Sequence, residues 1–207
     1  MNTLSQIKEH KLIAIIRGAN PDDVIKIAEA LYAGGIRLLE ITMNSKSALE
    51  VIEKTAKAMA GRMVLGAGTV LDAKTAKKAV EAGAQFILSP TVSKKTIKAS
   101  KELGVVSIPG AYTPTEIFKA YSYGADIIKV FPASAGPSYI KDVVGPLSHI
   151  PMLPTGGVNL ENIQEFKKLG VVGYGIGSSL VDTKKEITEQ YLAELTEKAR
   201  QYVEAIR

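Results

Sequence analysis

The sequence predicts an α/β protein, a single-domain (β/α)8 TIM barrel with an extra N-terminal helix. Two observations carry that reading. First, one unit recurs along the 207 residues: a helical segment ends in glycine and an apolar strand follows within a few residues. It stands at Ala33-Gly34-Gly35-Ile36, Ala82-Gly83-Ala84-Gln85-Phe86, Leu103-Gly104-Val105, Tyr123-Gly124-Ala125-Asp126-Ile127 and Leu169-Gly170-Val171. Glycine just past a helix end is the expected cap, and a short loop then feeds the strand. Second, the strands so marked number about eight, each joined to the next by a helical stretch. Such alternation implies right-handed crossovers and a parallel sheet.

Taken in order, residues 2–10 form a short helix under the N-terminal mouth of the barrel. The strands are expected at 12–17, 38–43, 63–68, 86–90, 105–110, 127–132, 152–157 and 173–177, each a short run bounded by glycine, proline or polar residues. The last helix is expected over 183–207, where Ile187, Tyr191, Leu192, Leu195, Ala199, Tyr202 and Val203 recur at helical spacing. An open doubly wound sheet is the alternative. It usually has fewer strands and a glycine-rich dinucleotide turn after the first, whereas here the first strand runs into Arg17-Gly18-Ala19-Asn20-Pro21. No linker or low-complexity tract divides the chain, so residues 1–207 are read as one domain.

Composition narrows the chemistry. With no cysteine there is no disulfide framework and no thiolate metal site. His10 and His149 are the only histidines, too few for the paired imidazoles of metal-dependent sugar-phosphate enzymes, so no metal is expected. A net charge of +5 suits small anions, and no aromatic-interleaved basic patch points to nucleic acid. No stretch is long and apolar enough to span a membrane, and the first ten residues lack the apolar centre of a signal peptide. A cytoplasmic protein without nucleic-acid or membrane partners is expected.

In such a barrel the chemistry sits where strands end and loops begin. The most informative strand is Asp126-Ile127-Ile128-Lys129-Val130-Phe131-Pro132, an apolar run with one lysine inside it. An unpaired ammonium is costly in a dry interior, so this amine either snorkels to solvent or is neutral part of the time and reactive. Glu40 stands similarly within Leu38-Leu39-Glu40-Ile41-Thr42. Side chains alternate along a strand, so Glu40 shares a face with Leu38 and Thr42, and Lys129 with Ile127 and Phe131. If both faces point inward, a carboxylate and an amine meet in one pocket. A surface pairing of Glu40 with Arg37 is the structural alternative.

Arg17 closes the first strand and is either a solvated strand end or a bidentate clamp for a substrate carboxylate. Two glycine turns, Thr155-Gly156-Gly157-Val158 and Gly175-Ile176-Gly177-Ser178-Ser179, follow strands seven and eight. Those two places form the usual phosphate cradle of these barrels, with amides and the serine hydroxyls as donors. A phosphate ester is the expected handle. Together these features describe a neutral Lys129 that attacks a 2-keto group, with the resulting iminium drawing electrons from a breaking carbon–carbon bond and Glu40 moving protons.

The chain resembles the 2-keto-3-deoxy-6-phosphogluconate (KDPG) aldolase family, which includes 4-hydroxy-2-oxoglutarate (KHG) aldolases and a phosphogalactonate branch. The similarity runs over nearly the whole length. It rests on Leu38-Leu39-Glu40-Ile41-Thr42, Gly66-Ala67-Gly68-Thr69-Val70, Phe86-Ile87-Leu88-Ser89-Pro90, Ile108-Pro109-Gly110, Ile128-Lys129-Val130-Phe131-Pro132 and Pro154-Thr155-Gly156-Gly157-Val158. It implies Lys129 as the Schiff-base lysine and Glu40 as the acid/base. It also implies Thr69, Pro90 and Phe131 around the pyruvate half, and Gly156, Gly157 and Ser178 around the phosphate. The family works without metal or organic cofactor and is typically a homotrimer. The implied substrates are a phosphorylated 2-keto-3-deoxy sugar acid and pyruvate.

The pattern departs at Asn44-Ser45, where many phosphogluconate-type members carry arginine. With Ile16-Arg17-Gly18 and Ser134 to Lys141, this looks like the phosphogalactonate branch, whereas Thr155 looks like the phosphogluconate type. Arg17 is therefore expected to hold the carboxylate, and Thr155 to keep gluconate preference. Among other classes, a metal-dependent epimerase would need paired histidines at strand ends. A non-catalytic sugar-acid-binding barrel would need neither Lys129 nor Glu40.

Overall fold

The computed structural model describes residues 2–207, so Met1, the first residue of the expected domain, lies outside them. Eight parallel strands alternate with helices: β1 (Leu12–Ile16), β2 (Leu38–Thr42), β3 (Val64–Gly68), β4 (Phe86–Ser89), β5 (Val106–Ala111), β6 (Ile128–Val130), β7 (Met152–Pro154) and β8 (Tyr174–Ile176). They hydrogen-bond in the order β7-β6-β5-β4-β3-β2-β1-β8. A parallel bridge between Thr155 and Gly175 joins the two ends of that order, so the sheet closes into a (β/α)8 TIM barrel. The helices are α1 (Thr3–His10), α2 (Val24–Ala33), α3 (Ala48–Ala58), α4 (Ala73–Glu81), α5 (Lys94–Glu102), α6 (Pro114–Ser122), α7 (Pro137–Val144), α8 (Ile163–Lys167) and α9 (Glu189–Ile206).

The glycine signal holds in physical detail. Gly35, Gly83, Gly104, Gly124 and Gly170 all have positive φ, the left-handed turn by which each helix hands over to the next strand. Helix starts are set by side-chain caps. Asp72 accepts from Thr75 N, and Thr113 with Glu116 forms a reciprocal capping box on α6.

Each expected strand is present, most of them a residue or more shorter at one end. Arg17 falls outside β1, and residues 155–157 leave β7 as a loop. The last helix is corrected more. It begins at Glu189 rather than 183, because the Thr188 hydroxyl caps it by accepting from Tyr191 N, and residues 183–188 form an arm instead. That difference later bears on the site.

Two apolar regions result. One lies between the barrel wall and the helices; the other fills the barrel itself with Ile13, Leu38, Val64, Phe86, Leu88, Val106, Ile108, Ile127 and Leu153. Ile7 of α1, fully buried, joins the second region, so the N-terminal helix plugs the bottom of the barrel. Leu38 and Ile127 are thus inward residues, and pleating puts Glu40 and Lys129 on the same inward faces, nearer the C-terminal rim.

Candidate active site

Glu40 is completely buried at the centre of β2, opposite Gly66 of β3, and neither of its carboxylate oxygens accepts a hydrogen bond from the described residues. A buried, unpartnered carboxylate is rare and points to function rather than stability. Burial pushes its pKa above the ordinary carboxylate range. The positive charges of Lys129 and then Arg17 pull the other way without cancelling it. Space for the group comes from β3, where the β-carbon of any residue but glycine at position 68 would collide with Glu40 Oε1.

Lys129 sits on β6 in register with Gly110 of β5 and Leu153 of β7 and is 3% exposed. Its ammonium lies over the Phe131 ring, 4.9 Å from the centroid. No ion pair holds it among the described residues. The amine and the carboxylate therefore sense each other across the barrel mouth without being locked together in an ion pair.

At Lys129 opens a cavity of about 510 Å³, the size of a small-metabolite site. Arg17, Lys129, Phe131, Thr155, Gly156, Gly157, Gly177 and Ser178 all line it. Glu40, Thr69 and Pro90 do not; Glu40 stays buried within β2, and Thr69 and Pro90 stand partly buried just past the ends of β3 and β4. Thr69 adopts a left-handed backbone (φ 57°), a strained conformation for a branched residue and of a kind that clusters at functional sites. The Thr155 hydroxyl is buried and has no partner among the described residues.

The rim formed after β7 and β8 is rich in free donors. Gly177 accepts from Leu180 N at 2.9 Å and Val181 N at 3.0 Å, so the chain turns as a single helical turn. The Ser178 and Ser179 amides at the start of that turn donate to no other group among the described residues, and neither do those of Gly156 and Gly157. Free amides at a helical N-terminus and in a glycine turn are the physical basis of anion binding. Gly157 also needs its lack of side chain, since a β-carbon would come 2.8 Å from Ser134 Cα.

One expectation is corrected here. The Ser179 hydroxyl is not a free donor: it donates to the Val158 carbonyl at 2.8 Å and ties the two loops together, leaving Ser178 as the serine with a free hydroxyl.

Arg17 is exposed, but its backbone is bracketed. The Thr183 hydroxyl donates to its carbonyl at 2.7 Å, and the next amide, Gly18 N, donates to Ser45 Oγ at 2.9 Å. Ser45 Oγ in turn meets Thr42 Oγ1 at 3.0 Å, so the loop after β1 is fastened to the inward end of β2. Sequence reasoning did not find this bracket, nor that Thr183 and Lys184 line the cavity. The signal for the second was Thr188 just before Glu189, a helix start that leaves the preceding residues outside the helix. Among the described residues no cluster of three His, Cys, Asp or Glu side chains is placed to hold a metal.

The model of the family described as "KDPG and KHG aldolase" matches residues 4–197. The chain is 36% identical over 171 residues to the 2-dehydro-3-deoxy-6-phosphogalactonate aldolase of Escherichia coli (strain K12), covering 82% of this chain and 83% of that protein. It is 31% identical over 207 residues to the 2-dehydro-3-deoxy-phosphogluconate aldolase of Haemophilus influenzae, covering 99% and 96%. Among solved structures, KDPG aldolase from Legionella pneumophila, with pyruvate captured at low pH as a covalent carbinolamine intermediate, superposes with a TM-score of 0.86. That match is at 28% identity and covers 97% of each chain.

Proposed function

The chain belongs to the KDPG and KHG aldolase family and is a carbon–carbon lyase, and from that premise we propose which residues act and on what. The substrate is 2-keto-3-deoxy-6-phosphogluconate, cleaved reversibly to pyruvate and glyceraldehyde 3-phosphate. The observation that carries the residue assignment is the pair of inward strand residues: Lys129, buried and lining the cavity, and Glu40, fully buried on β2 with its carboxylate unpaired.

The steps follow from those positions. The Lys129 amine adds to the C2 keto carbon to give a carbinolamine, which loses water to become a protonated Schiff base. Glu40 removes the proton of the C4 hydroxyl. The C3–C4 bond breaks, its electron pair moving toward the iminium nitrogen, and C4 leaves as the aldehyde. The resulting enamine takes a proton at C3, and hydrolysis releases pyruvate and the free amine. Arg17 holds the carboxylate and Phe131 packs beside the Schiff base. Gly156, Gly157, Gly177 and Ser178 cradle the phosphate. Thr69 and Pro90 back the pyruvate half from behind the cavity wall.

The phosphogalactonate epimer is the second reading. It is favoured by Asn44-Ser45, which stands where phosphogluconate-type members often carry arginine; Ser45 instead accepts from the Gly18 amide beside Arg17. Turnover of 4-hydroxy-2-oxoglutarate to pyruvate and glyoxylate is the smaller-substrate extension. Measuring pyruvate release from both C4 epimers and from 4-hydroxy-2-oxoglutarate tests all three. No release from any of them would remove the assignment.

We also take the whole chain, 1–207, as one domain that acts in the cytoplasm as a homotrimer without metal or organic cofactor. No helix among the described residues is long and apolar enough to cross a membrane. Phe118 and Tyr121, one turn apart on α6, are exposed at 54% and 38%, an apolar patch suited to self-association. Sedimentation equilibrium reads the trimer directly, and a monomer at micromolar concentration would contradict it.

A further inference from the structure

Two adjacent lysines follow the last strand, and the fold uses them differently. Lys185 lies over the Tyr191 ring, 6.0 Å from its centroid. Lys184 lines the cavity beside Ser178, Ser179 and Asn159, and its ammonium has no ion-pair partner among the described residues.

The chain leading to Lys184 is fastened at Asp182, Thr183 and Lys184. The Tyr191 hydroxyl accepts from Asp182 N at 3.0 Å and donates to the Asp182 carbonyl at 3.1 Å. The Thr183 hydroxyl reaches the Arg17 carbonyl at 2.7 Å, and Lys184 N donates to Asp182 Oδ1 at 3.1 Å. One tie anchors the arm to α9 and another to the end of β1, so the backbone that presents Lys184 is held at the rim while its side chain is exposed.

We propose that Lys184 is a specificity-determining residue that meets the terminal phosphate of the substrate across the amide cradle. The inference rests on the phosphate-ester reading of the site and adds to it the cation which that reading lacks. Neutral amides orient an anion but carry no net charge. A phosphate monoester near neutrality carries about −1.5 to −2. Lys129 and Arg17 are committed to the keto-acid end, leaving Lys184 to neutralise the other. A lysine does this as a mobile point charge on a long stem, so a tail lacking phosphate gains little from it. Lys184 is solvated at the rim, which moderates the effect without removing it.

The test compares kcat/KM for the phosphorylated keto-deoxy acid with that for its unphosphorylated counterpart. The proteins are the wild type, Lys184→Ala, Lys184→Arg and Lys185→Ala. The expected result is that Lys184→Ala lowers the ratio about ten-fold, chiefly through KM for the phosphorylated substrate, while Lys184→Arg retains most of it. Lys185→Ala keeps the wild-type ratio. A wild-type ratio in Lys184→Ala, with the wild type preferring the phosphorylated substrate, would overturn the role of Lys184 and leave the phosphate-ester reading intact. Absence of that preference in the wild type would overturn both.

Discussion

Gly68 on β3 is placed so that a β-carbon there would collide with Oε1 of Glu40 on β2. One strand gives up its side chain so that its neighbour can keep a carboxylate inside the barrel. Gly66 does the same one pleat lower, where a β-carbon would run into the Phe86 ring. Space for the buried Glu40 carboxylate is thus written into β3.

Gly68→Ala should therefore act on Glu40 from the next strand. The methyl group forces the carboxylate aside, and kcat for pyruvate release should fall about 10²-fold or more, the usual size of a lost general acid–base contribution. Far-UV circular dichroism should stay native. Full activity in a folded Gly68→Ala would show that the position of Glu40 is not needed.

Glu40 also predicts a pH signature. Its folded-state pKa is raised above the unfolded value by burial, against the smaller pull of Lys129 and Arg17. The folded state therefore holds the proton more tightly, and the stability this contributes is fully present below the unfolded carboxylate pKa. It is lost as pH rises through the folded value. Glu40→Gln, which cannot ionise, should melt above the wild type at pH 8, with the gap closing as pH falls below about 4. Its activity should be low, the familiar exchange of stability for function. In the wild type, the acid limb of kcat should lie above the ordinary carboxylate range. A Glu40→Gln protein that melts below the wild type at pH 8 would contradict the sign.

Thr155 offers a buried hydroxyl with no partner, in van der Waals conflict with any side chain at position 175. Removing that oxygen leaves nothing unsatisfied, so Thr155→Val should cost no thermal stability. If the hydroxyl bonds the substrate's C4 oxygen, the same change should shift the ratio of kcat/KM between the C4 epimers by about ten-fold or more. An unchanged ratio would remove Thr155 from epimer choice.

The Ser45 bracket predicts a graded pair. Arg17→Ala should raise KM for the keto acid strongly, by about ten-fold or more, through loss of a charged contact. Ser45→Ala leaves the guanidinium in place but unfastens Gly18, so KM should rise less, with kcat nearly kept. Arg17→Lys should restore little, because an ammonium cannot reproduce the planar fork. Equal effects from Ser45→Ala and Arg17→Ala would mean that Ser45 touches substrate itself.

How legible all this was depends on range. The eight strands could be read because each is announced locally, by a glycine past a helix and a short apolar run. Glu40 and Lys129 could be read because alternation along one strand is also local: knowing that Leu38 and Ile127 are inward settles both. What could not be read depends on neighbours distant in the chain. The clearance that Gly68 gives Glu40 needs the β2–β3 register, and the Ser45–Gly18 bond spans 27 residues. The Thr183–Arg17 contact spans 166, and the apolar Ile187 gives the arm that makes it the spacing of the last helix. Thr69 and Pro90 illustrate the converse: strand-end position was legible, but whether the side chain reaches the cavity was not.

The central claim is that Lys129 forms the Schiff base. Incubating the protein with pyruvate, reducing with borohydride and mapping the modified peptide by mass tests it most directly. One reduced pyruvyl adduct is expected, on Lys129, abolished by Lys129→Met. An adduct on another lysine would contradict the reading of β6, and no adduct on the folded protein would contradict the mechanism itself.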